Sequence, residues 1–166
     1  MQDLSEDDLD LLQRCVELAA AGLKQGNSPY GALLVDRHGA VVFEGHNLDG
    51  TGDHTQHPEL AIARFAAATM SPEERALARV YTSTEHCPMC AAAHALVGLG
   101  TIYCASIAAE VSQWYRLWGA ANPPVRTIPA TEISPNLKII GPAPIFSEAL
   151  FNLHHWFHLG NVEKRF

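Results

Sequence analysis

The feature that most constrains this chain is a pair of short segments, His57-Pro58-Glu59 and Cys87-Pro88-Met89-Cys90. Each sits where a helix is expected to begin. Pro58 suits a first helical position, because the N–H it lacks would have no partner there. Leu60, Ile62, Ala63 and Ala66 then carry an apolar periodicity to about Met70. Cys87 opens an alanine-rich run that reaches about Val97 and stops near Gly98 and Gly100. Two cysteines three apart on a first turn bring both sulfurs to one side. The unpaired N–H groups and dipole of that turn favour thiolates, the form that binds metal. An imidazole from a neighbouring helix start makes a third ligand. A fold that unites these donors must bring two helix N-termini together.

Three protein ligands, His57, Cys87 and Cys90, leave a fourth tetrahedral position for water. That is the arrangement of a catalytic zinc and not of a closed structural one. Zinc draws the pKa of such a water towards neutrality, which makes a nucleophile available. Glu59 follows His57 by two residues, near enough to reach the water without binding the metal, and is expected to move protons. Either segment alone is weak: Cys-x-x-Cys also serves redox pairs and structural half-sites, and His-x-Glu occurs by chance. Together they point to one open Zn2+ site.

The pattern around these segments is that of an α/β layer fold. Ser5 to about Gln25 reads as an amphipathic helix, with Ser5 and Asp8 as its cap and Leu9, Leu12, Val16, Ala19, Ala20 and Leu23 as its apolar face. Tyr30–Val35 and Val41–Glu44, joined by Asp36-Arg37-His38-Gly39, form a hairpin signal. Strands are expected at Val80–Thr82, Thr101–Cys104 and Leu137–Ile140, and helices at Ala109–Trp118 and Ser147–Leu159. The Pro-rich stretch Asn122–Pro135 has no clear period. Strands separated by helices imply an antiparallel hairpin first and parallel strands later. Cys15 and Cys104 read as core thiols. His38 and His46 read as turn or strand-end residues, and His154, His155 and His158 as a partly exposed helix face.

Composition limits the partners. The 166 residues suffice for one domain, residues 1–166, with a real core. Eleven Lys+Arg against eighteen Asp+Glu give a net charge of −7, with no dense basic run, so a nucleic-acid partner is not expected. No apolar stretch of spanning length is present, so no membrane partner is expected either. The acidic N-terminus lacks the layout of a signal peptide, and a cytoplasmic location is the expectation.

On these residues the sequence resembles the cytidine/deoxycytidylate deaminase superfamily, in the branch of guanine deaminases, yeast-type cytosine deaminases and tRNA adenosine deaminases. The resemblance covers most of the chain. It takes in Pro29-Tyr30-Gly31-Ala32, Gly45-His46-Asn47, both metal segments with the preceding Tyr81–His86, and Gly141-Pro142, Phe151 and Trp156 near the end. It implies a three-layer α/β/α sandwich around a five-stranded mixed sheet, and a homodimer or larger assembly. It also implies hydrolytic loss of ammonia from an aminated heterocycle, with Glu59 as proton shuttle. Asn47 is then expected to contact the base, the alternative being a turn residue before Asp49-Gly50. Tyr30 and Ala32 are expected to wall the base pocket, the alternative for Tyr30 being strand packing. Trp114, Tyr115, Trp118 and Phe166 are candidates to cover a flat base.

Two positions depart from the pattern: Pro58 stands where Ala is usual, and His86 where Pro is usual. His86 is a candidate substrate contact, a further proton-transfer group or a tolerated loop residue. The weak basic content favours a small purine such as guanine, as base or nucleoside. A tRNA adenosine deaminase and a cytosine or cytidine deaminase are the alternatives within this chemistry. A noncatalytic zinc-stabilised binding subunit and a Cys-x-x-Cys oxidoreductase are the alternatives outside it.

Overall fold

A computed structural model describes residues 4–121 and 123–160. Its five strands are β1 (Gly31–Val35), β2 (Val41–His46), β3 (Arg79–Thr84), β4 (Thr101–Ser106) and β5 (Ile139–Ile140). They form one mixed sheet in the order β2-β1-β3-β4-β5. The hairpin is antiparallel, β1 also pairs antiparallel with β3, and β3-β4 and β4-β5 are parallel. The helices are α1 (Glu6–Lys24), α2 (Pro58–Thr69), α3 (Pro72–Leu77), α4 (Pro88–Val97), α5 (Ala108–Trp118), α6 (Ala130–Ile133) and α7 (Ser147–Leu159).

Side-chain alternation along the strands divides the core in two. Leu33, Val35 and Tyr81 face Leu12, Cys15 and Val16 of α1 and Leu150 of α7. Ala32, Leu34 and Val80 face Ile62, Ala63 and Ala66 of α2. Helices thus cover both faces of the sheet, which gives the three-layer α/β/α sandwich. Cys15 and Cys104 are buried in it, and burial pushes the Cys104 thiol up to about 12. Gly31 lets α1 approach the sheet: a Cβ there would sit 2.7 Å from the Ala19 nitrogen, and closer still to the Cys15 carbonyl oxygen. Among the described residues, no helix is long and apolar enough to cross a membrane.

Two elements were not expected from sequence. Helix α3 is capped by Ser71, whose side chain accepts from the Glu74 N–H while Glu74 accepts from the Ser71 N–H. The short α6 lies in the Pro-rich stretch, where Glu85 accepts the Ala130 N–H at 2.8 Å and the Ala108 N–H at 2.9 Å. One carboxylate at the end of β3 therefore fixes the starts of both α5 and α6.

The capping box of α1 leads to a pH prediction. Asp8 accepts from Ser5, and also from the Tyr81 hydroxyl at 2.6 Å, with Arg79 4.0 Å away. Burial alone would raise its pKa, but these bonds outweigh it and hold the carboxyl below the usual value of 3.8. A depressed folded pKa means stability that is present above the unfolded value and lost as pH falls through the folded one. Asp8→Asn is expected to cost about 2 kcal/mol at pH 7. The gap to wild type in denaturant melts should narrow below pH 3.8. A gap independent of pH would refute this account.

Candidate metal centre

His57 and Cys87 are the residues immediately before α2 and α4, and a proline takes the first position of each helix. Neither side chain caps its own helix, so imidazole and thiol are both free for other work. Cys90 lies one turn into α4 and is fully buried. His57 Nδ1 is 3.5 Å from Cys87 Sγ and 3.5 Å from Cys90 Sγ. A tetrahedral zinc with Zn–N near ~2.05 Å and Zn–S near ~2.3 Å would set N and S about 3.6 Å apart. The three donors lie within 4.8 Å of one another, so they fit that ion.

The electrostatics agree. Hydrogen bonding from Cys90, and then from His57, lowers the Cys87 thiol to about 4. Cys90 moves the other way, because its hydrogen bond to Cys87 and burial both hold its proton. The pair gives up one proton readily and the second only against the charge of the first. A dication among the sulfurs removes that penalty.

Glu59 opens α2 from inside the core, with 5% exposure. Thr82 explains how it is held. Register pairs Thr82 with Ala32, and both lie under α2. The Thr82 hydroxyl is 2.7 Å from Glu59 Oε1 and 2.9 Å from the Thr84 carbonyl oxygen. It can donate its single proton to a Glu59 carboxylate. Alternatively it can turn that proton to Thr84 and accept from a protonated Glu59. Burial pushes the Glu59 carboxyl up, against the opposing pull of Thr82 and His57. Sequence reasoning missed Thr82, since only strand register brings it to Glu59.

Residues 5–106 match the cytidine and deoxycytidylate deaminase zinc-binding region. The chain belongs to this deaminase family. His57, Cys87 and Cys90, the three residues whose donor atoms could together hold a metal ion, all lie inside the matched region. The chain is 33% identical over 91 residues to a probable cytosine deaminase of Schizosaccharomyces pombe, covering 55% of each chain. It is 36% identical over 94 residues to the guanine deaminase of Bacillus subtilis, covering 55% of this chain and 54% of the relative. To a tRNA-specific adenosine deaminase of Agrobacterium fabrum it is 32% identical over 88 residues, covering 53% of this chain and 57% of the relative. The chain thus spans about half the length of the curated relatives it matches. A solved structure of guanine deaminase from Nitrosomonas europaea shares the fold, with TM-score 0.69 and 17% identity over 95% of this chain and 86% of that one.

Around the metal centre of this deaminase-family chain, Tyr30 stands closest to His57 among the aromatic rings expected at the site. The two rings lie 6.5 Å apart between centroids and 17° from parallel. The Tyr30 hydroxyl is 2.8 Å from that of Tyr115 on α5. Asn47, just beyond β2, donates its backbone N–H to the Tyr30 carbonyl at 3.0 Å. Ala32 lies in the core beneath α2.

Other residues are placed differently from expectation. Trp114 packs on Phe151 and His154 of α7, and its neighbour Tyr115, a candidate like it, is the residue of α5 that reaches Tyr30. Helical geometry explains the difference, since adjacent residues point about 100° apart. His154 is also not the partly exposed residue expected. It is fully buried against Tyr30 and Trp114, one turn from the core residue Leu150. His86 is 1% exposed, edge-on to His94, with no hydrogen-bond partner among the described residues. Trp118 packs on Phe151 and His155. Phe166 lies outside the described residues.

Proposed function

We propose that the chain is a zinc-dependent aminohydrolase acting on a purine base or nucleoside such as guanine. The observation that carries this is the His57–Cys87–Cys90 donor set beside a buried Glu59 whose hydrogen-bond partner, Thr82, serves both of its protonation states. Zinc held by the three ligands supplies the Lewis acidity that makes water a competent nucleophile near neutral pH. Glu59 carries one proton of the attacking water to the ring nitrogen next to the reacting carbon, then takes the proton remaining on the added oxygen to the departing amine. The balance is an amidine-type C–NH2 plus water giving a ring carbonyl plus ammonia.

Tyr30 supports a flat substrate. Its ring lies nearly parallel to that of His57, 6.5 Å away between centroids, and offers an aromatic face beside the metal centre. The reading includes a homodimer working in the cytoplasm; Leu96 and Ile145, at 89% and 74% exposure, offer apolar surface for a second copy.

One observation favours the tRNA alternative. Ser112, Tyr115, Arg116 and Arg126 line a cleft of about 330 Å³, two cations in a chain of net charge −7. Ammonia release from zinc-loaded protein should therefore be measured across guanine, guanosine, cytosine, cytidine, adenine and a tRNA transcript. Turnover of guanine or guanosine at least about tenfold above the others is expected. Activity confined to pyrimidines, or to tRNA with steep salt dependence, would overturn the purine reading.

A further inference from the structure

Asn47 carries an unusual asymmetry. The residue is 1% exposed, its Nδ2 donates to Ser28 Oγ at 2.7 Å, and its Oδ1 has no partner among the described residues. Ser28 directs both of its protons at Asp49: the backbone N–H to Oδ1 at 2.9 Å, and the hydroxyl to Oδ2. Asp49 is ionised, since its bonds from Ser28 outweigh burial and hold the carboxyl below its ordinary range. A carboxylate can only accept, and a hydroxyl has one proton. With that proton committed to Asp49, Ser28 Oγ can only accept from Asn47. The amide is thus oriented by proton accounting, with nitrogen towards Ser28 and oxygen left over. Gly50 N–H donates to Asn27 Oδ1 at 2.9 Å, which ties the loop carrying Asp49 to the segment carrying Ser28.

We infer that Ser28 and Asp49 are positioning residues that hold the Asn47 amide with its oxygen free, so that the site selects heterocycles offering an N–H donor to Asn47. The inference rests on the base-deaminase reading and adds a polarity to it. Asn47 adjoins Tyr30 through the backbone bond already described, which sets residue 47 beside the tyrosine of the proposed site. A ring acceptor placed there would leave two buried lone pairs facing each other, which a hydrogen-bonding site rejects strongly.

An exchange of Asn and Asp tests this. Asn47→Asp keeps the free oxygen but sets a second carboxylate oxygen against Ser28, whose proton Asp49 already holds. In the double variant Asn47→Asp/Asp49→Asn, residue 49 can donate to Ser28 Oγ, and Ser28 can donate to residue 47. The acceptor offered to substrate is unchanged. Guanine binding should be measured by calorimetry on zinc-loaded protein in a Glu59→Gln background. Asn47→Asp is expected to weaken it roughly 10- to 100-fold, and the double variant to regain most of that loss. If Asn47 offered its nitrogen, the double variant could not recover, because residue 47 would have no N–H. No recovery, with zinc content and melting intact, overturns the inference.

A second arm needs no substrate. In 15N-labelled protein the Asn47 side-chain protons should exchange slowly in the wild type and faster in Ser28→Ala. Exchange already as fast as in exposed asparagines would overturn the inference too. If wild type neither binds nor deaminates guanine, the purine reading falls, and the exchange arm still decides the orientation of Asn47.

Discussion

Replacing Glu59 with glutamine is expected to reduce ammonia release by about 10²- to 10⁴-fold while zinc content stays at that of the wild type. The amide has the volume of the carboxyl, and its oxygen can still accept from the Thr82 hydroxyl, which lies 2.7 Å from Glu59 Oε1. It cannot accept and return a proton. Metal content by mass spectrometry, melting temperature and turnover then separate three readings. Loss of turnover with zinc and melting retained is the result expected of a proton shuttle. An unchanged rate would refute the role. Loss of zinc would make Glu59 part of the ligand shell, contrary to its placement against Thr82. The variant is expected to melt no lower than wild type, because a neutral amide replaces a carboxylate whose charge is disfavoured by burial.

What sequence could show depends on whether the information is local. The cap of α1 is local: Ser5 and Asp8 sit three apart, and the structure joins them reciprocally. The metal segments are local too, since proline after His57 and after Cys87 marks both helix starts. Helix α3 had the same legible signature in Ser71, Pro72 and Glu74, but six residues give too short an apolar period to register beside it. His154 is hard to place for the opposite reason. Its spacing from Leu150 puts it on the buried face, and its polarity argued for the surface. The rest is tertiary. Thr82 reaches Glu59 only because β3 pairs with β1 in one register and α2 lies across both. Ser28 and Asp49 are 21 residues apart, and no period connects them. On α5 it is Tyr115, and not its neighbour Trp114, that reaches Tyr30, because one residue is a whole change of face on a helix.

Removing Cys90 is expected to have the larger structural consequence. Cys90→Ser should abolish stoichiometric zinc, because His57 and Cys87 alone leave the ion two protein ligands and its soft character favours thiolate. Zinc binds the folded chain through donors from two helices that an unfolded chain does not hold together. Its binding therefore stabilises the fold by mass action, about 4 kcal/mol when free zinc is a thousandfold above its Kd. For a chain of this size that corresponds to roughly 8–16 °C in melting temperature. Wild type should lose about that much on chelation, and Cys90→Ser should melt at the chelated value with or without chelator. Turnover should be lost in both and restored by zinc only in the wild type. A Cys-x-x-Cys oxidoreductase gives the opposite pattern: chelation would spare its activity, and oxidation of Cys87 and Cys90 to a disulfide would be part of its cycle. Activity that survives complete removal of zinc would therefore overturn the hydrolytic reading and leave His57 and Glu59 without a chemical task.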